Sequence, residues 1–221
     1  MLNKTILYIL FVIPFCFIFQ NRASDNYTKI NHTVWVKHPG DKFPVEIILT
    51  EVQNESGLAI EYYANVESVI CLKEVCKVVS VKIYWNNIGE YQRYELKPGV
   101  TLEKYESDLF EPQDYIKLNA VLLNKNSPFK DVYVDDILTV VDADGTEGVD
   151  VISGATALKL DEKDTVPGAA LTCYTLWHWA NGNITSIIKK QTGKSASNDQ
   201  LKHFLHNENK MYFFIALDEL N

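Results

Sequence analysis

Thr156 closes a run of three small residues, Ser153, Gly154 and Ala155, and Asp150 stands six positions before it. This is the make-up of an accessible modification site. Little side-chain bulk shields the hydroxyl, glycine lets another backbone approach closely, and a carboxylate sits nearby. A neutral threonine hydroxyl is a poor nucleophile, so a bond made there requires deprotonation and charge neutralisation. The Ser153 and Gly154 amides, with those of a helix start, are suited to holding an anion. Ser153 is also placed to N-cap a short helix running to about residue 160. In the purely structural reading, Thr156 is an exposed first-turn residue of that helix.

The order Asp150-Val151-Ile152-Ser153-Gly154-Ala155-Thr156 resembles the Asp-x-x-Ser/Thr-Gly-Ala-Thr signature of FMN-binding domains. That family includes the FMN-bearing subunits of sodium-pumping NADH:quinone oxidoreductases and of Rnf-type complexes. The likeness is tight over 150–156 and loose over 60–160. It implies FMN held covalently by a phosphoester to Thr156, with Asp150, Ser153, Gly154 and Ala155 forming the attachment site. It also implies an FMN transferase for maturation and a redox protein as electron partner. The chain would then be an electron carrier rather than an enzyme with its own small substrate. The alternative is an exported binding or scaffold domain of the same fold without cofactor. Trp85, Tyr174 and Trp177 are candidates to stack on an isoalloxazine, although aromatic residues more often fill a core.

Cysteine and histidine offer less. Cys71 and Cys76 are five apart and could close a small disulfide in an oxidising compartment; the other reading is reduced, buried thiols. Their spacing is not the C-x-x-C of dithiol oxidoreductases. Cys173 and His178 are five apart within a helical run, which turns them away from each other, so no metal site is expected there. Asp142-Ala143-Asp144-Gly145 reads as a turn, because later calcium ligands are missing.

The chain that must position these groups has 221 residues, 47% hydrophobic and 23% charged, with formal net charge -8. This is a globular balance, and its acidity argues against nucleic-acid binding. Lys4 precedes residues 6–19, which hold no polar side chain other than Tyr8 and Cys16. That is the length of a signal-peptide core and short for a membrane span. Residues 1–24 are therefore read as a signal peptide or a retained N-terminal anchor, placing the protein outside the cytoplasm, with membrane association through the N-terminus if the anchor stays.

A polar stretch, 24–32, opens the mature chain. Strands are expected at 33–37 and 43–50, and most clearly from 78 to 94, where Val79, Val81, Ile83 and Trp85 alternate with Ser80 and Lys82. Asn86-Asn87-Ile88-Gly89 marks the turn between its two halves. Residues 111–123 read as a helix with Pro112 early and Tyr115, Leu118 and Leu122 on one face. Further helices are expected from a Thr165 N-cap, after a Ser197…Gln200 capping box, and over 211–220. Strands first and helices last predict an α+β fold, an antiparallel sheet with helices followed by a C-terminal helical extension. The divisions are 25–160 for an FMN-binding-like domain and 161–221 for the extension.

Overall fold

The computed structural model describes residues 27–69, 78–104, 108–134, 137 and 163–221. Five strands, β1 (Thr28–Val36), β2 (Val45–Gln53), β3 (Ala59–Glu67), β4 (Ser80–Asn86) and β5 (Tyr91–Leu96), form one sheet. They pair in chain order, every pair antiparallel. Helix α1 (Pro112–Leu123) and a 3-10 turn (Pro128–Asp131) come next. Four helices end the chain: α2 (Ala170–Asn181), α3 (Ile184–Ser195), α4 (Asn198–Leu205) and α5 (Lys210–Leu220). The fold is α+β with a C-terminal helical stretch, as the element order predicts.

Alternation decides which sheet face is covered. Val81, Ile83 and Trp85 of β4 are buried toward the helices, as are Tyr62, Ala64 and Val66 of β3. On the other face Lys82 lies 3.9 Å over the Tyr63 ring, and Arg93 lies 3.6 Å over Tyr84. One core joins the sheet, α1, α2 and the first turns of α3. Ile88 and α4 and α5 residues form a smaller cluster beside it.

The turns obey local chemistry. Asn86 Oδ1 accepts the N–H groups of Ile88 (3.1 Å) and Glu90 (2.9 Å). Gly89 then takes φ +77°, and a Cβ there would lie 2.6 Å from the Thr185 carbonyl oxygen. Glycine is required twice, by conformation and by the approach of α3. At α1, Pro112 occupies the first turn and Asp114 accepts the Glu111 N–H at 2.8 Å.

Three expectations need correction. Residues 28–32 are not a loose polar lead but half of β1, paired with 49–53. An edge strand is held by its backbone amides and does not need apolar side chains on both faces. No separate strand was expected at β3, where the inward period-two positions Tyr62, Ala64 and Val66 are interrupted by Ala59, which is buried out of phase beside an irregularity in the β2–β3 pairing. The helix expected from Thr165 begins instead at Ala170. Pro167 and Gly168 are the central pair of a turn closed by Ala169 N–H to Val166 O (3.0 Å), with Gly168 at φ +70°.

Candidate functional site

The residues proposed from sequence to carry the cofactor, Asp150, Ser153, Gly154, Ala155 and Thr156, lie outside the described residues, as do Cys71 and Cys76. The structure does describe what flanks them. On one side Phe129, Val132 and Ile137 are buried; on the other, Asp164, Thr165 and Val166. The hydrophobic residues of both flanks belong to the main core, against α2.

Ten of the twelve residues of α2 are buried, so this helix is central to the flanking core. His178 and His38 organise its polar atoms. His178 Nε2 lies 3.0 Å from the Phe129 carbonyl oxygen, and His38 Nε2 lies 3.0 Å from the Thr175 carbonyl oxygen. Burial lowers both imidazole pKa values, that of His178 to about 4 with a further contribution from nearby His38. Neutral rings facing carbonyl oxygens must carry their proton on Nε2, which donates. His38 Nδ1 is then free to accept the Gly40 N–H at 3.3 Å. Asp41, 3.8 Å from that unprotonated nitrogen, does not pair with a charge at neutral pH.

The three aromatic candidates for flavin stacking have core roles. Trp85 Nε1 donates to the Ala180 carbonyl (2.8 Å), and Trp177 Nε1 donates to the Asn124 carbonyl (2.9 Å). Tyr174 packs edge-on against Phe129 and His178. All three rings are buried, so none offers an open face to a planar ligand. Cys173 Sγ accepts the Val166 N–H at 3.4 Å. Thr175 Oγ1 is fully buried and finds no hydrogen-bond partner among the described residues, a cost of roughly 1–3 kcal/mol.

A second polar cluster escaped the sequence reading. Glu51, fully buried in β2, accepts from Gln53 Nε2 (2.8 Å) and from the Ser195 hydroxyl (2.9 Å), and lies 2.7 Å from His32 Nε2. Beside it the Thr192 hydroxyl donates to the Asn87 carbonyl (2.6 Å) and bonds the Tyr62 hydroxyl (3.1 Å). Burial pushes the Tyr62 phenol pKa up. These bonds tie β1, β2 and β3 to α3. Ser195 gives its proton to Glu51 rather than to His32, so the trio lacks the serine-to-histidine bond of an activated nucleophile. The signal was available: Ile47, Leu49 and Glu51 share one strand parity, and an acid at an inward position demands partners.

Among the described residues no group of three or more histidine, cysteine or acidic side chains is arranged to hold a metal ion, and no helix is long and apolar enough to cross a membrane. No family model, curated protein or solved structure matches the chain.

Proposed function

We propose that this protein is an exported flavoprotein that carries FMN covalently on Thr156 and relays electrons to or from a partner redox protein. The observation that carries the reading is the signature itself, Asp150 with Ser153-Gly154-Ala155-Thr156 at the family's spacing. The donor set suits a phosphoester. It has one hydroxyl, small neighbours and backbone amides able to hold a phosphate.

In the proposed maturation, an FMN transferase uses FAD and Mg2+. The Thr156 oxygen attacks the phosphorus on the FMN side, the phosphoanhydride bond breaks, AMP leaves and the hydroxyl proton is released. Asp150 helps hold or present the site to that partner. When attached, the isoalloxazine supplies the redox chemistry, and the protein's part is to position it and limit its exposure. The stacking surface must come from residues other than Trp85, Tyr174 and Trp177, which the core has claimed. This last point favours the second reading, an exported binding or scaffold domain without cofactor.

Intact mass after co-expression with an FMN transferase separates the two. Covalent FMN adds one flavin nucleotide to the chain, and the gain disappears in Thr156→Ala. An unchanged mass in the wild-type chain, with a control substrate fully modified, leaves the scaffold reading.

A further inference from the structure

We infer that the outer face of α5 is the contact through which two copies of this chain associate about a two-fold axis. Residues 211–217 are apolar without a break, Met-Tyr-Phe-Phe-Ile-Ala-Leu. Only Ile215 and Ala216 are buried. Phe213, Phe214, Leu217 and Leu220 remain 39%, 50%, 41% and 55% exposed. A helix apolar nearly all round is normally covered on more than one side.

The charges at its ends name the occupant. Lys210 stands in the first turn and Asp218 and Glu219 in the last, with no acid in the first turn and no base in the last. This is the reverse of what the helix dipole favours. Neither Lys210 nor Asp218 forms an ion pair among the described residues. Residues 210, 214 and 218 are four apart and line one stripe. When two such helices lie antiparallel with Phe214 on the axis, Lys210 of each copy faces Asp218 of the other, and Met211 faces Leu217. The arrangement is self-complementary, as a two-fold contact requires. Charges badly placed within one helix become well placed between two. An anionic bilayer fits less well, because the same apolar face ends in acids on a chain of net charge -8. One helix face is smaller than the roughly 800 Å² per partner of a standard stable interface, so the dimer is weak and concentration-dependent.

Sedimentation velocity of the full chain across a concentration series tests this. The expected result is a monomer–dimer equilibrium. Phe214→Glu raises its dissociation constant by about tenfold or more. Lys210→Glu also weakens it, and the double variant Lys210→Glu with Asp218→Lys recovers it, because the same pairs form with exchanged sign. Thermal melts followed by circular dichroism show that each variant keeps the fold. A single monomeric species throughout overturns the inference, as does a dimer indifferent to Phe214→Glu or a double variant that does not recover. Flotation with neutral or anionic vesicles that is lost in Phe214→Glu, without self-association, assigns the face to a lipid surface instead.

Discussion

Helices α2 and α5 are both apolar around most of their circumference, yet they end in opposite surroundings. Ten of twelve residues of α2 are buried, against two of eleven in α5. The difference lies in what the rest of the chain provides. α2 meets β3, β4, α1, α3 and the 3-10 turn, and carbonyls of Asn124, just after α1, and of Phe129 in the 3-10 turn accept from Trp177 and His178. Among the described residues α5 packs mainly on α3 and α4 along one side, with the Tyr212 hydroxyl reaching Asn87 Oδ1 at the β4–β5 turn (2.7 Å). Apolarity says that a helix wants cover. Topology and the polar atoms at its margins say who supplies it.

Substitutions sharpen this contrast, and the largest effect belongs in α2. Trp177→Ala removes a buried ring and leaves the Asn124 carbonyl unpaired, and it should cost about 3–5 kcal/mol of unfolding free energy in urea denaturation. Ile215→Ala, on the covered side of α5, should cost about 2–4 kcal/mol by the same measurement. A loss in α5 equal to that in α2 would show that the smaller cluster is as integral as the main core.

Acid probes the α2 core from another direction. The His178 pKa is lowered on folding to about 4 by burial and by His38. Between that value and the unfolded pKa of about 6.5, the unfolded chain binds more protons, so stability rises with pH. This contribution is complete above about pH 6.5 and is lost as pH falls toward 4, at a total of the order of 3 kcal/mol. His178→Gln should flatten the pH dependence of unfolding across that window, with His38 supplying the remaining slope. An unchanged slope would mean that His178 binds its proton equally well in the folded and the unfolded chain. The smallest effect is expected on the outer side of α5. Phe214→Ala should change monomer stability by less than about 0.5 kcal/mol, because its ring is half exposed.

Much of this architecture is legible along the chain, and what is hidden has a physical reason. The alternation of β4, the Asn86 to Gly89 turn, the Pro112 helix start and the Ser197–Gln200 capping box all come from neighbours in sequence. Ser197 and Gln200 cap one another reciprocally, as their types and spacing predict. By contrast, β1 from Thr28 to His32 exists because β2 pairs with it, and its side chains reveal little. The Glu51 cluster gathers residues from β1, β2 and α3, which no local window contains. Trp85 and Trp177 illustrate the same limit on the site. Their type suits a flavin face, and only the distant Ala180 and Asn124 carbonyls reveal their core role. The proposed attachment signature can be read for the opposite reason, since such a site would be a local pattern of small residues around one hydroxyl.

The most direct test of the account is fragmentation mass spectrometry of the peptide containing residues 150–156, taken from chain matured with an FMN transferase. The account predicts a flavin phosphate ester on the Thr156 oxygen, absent in Thr156→Ala. An unmodified peptide under conditions that fully label a control substrate, or a flavin mapped to any other residue, would contradict it.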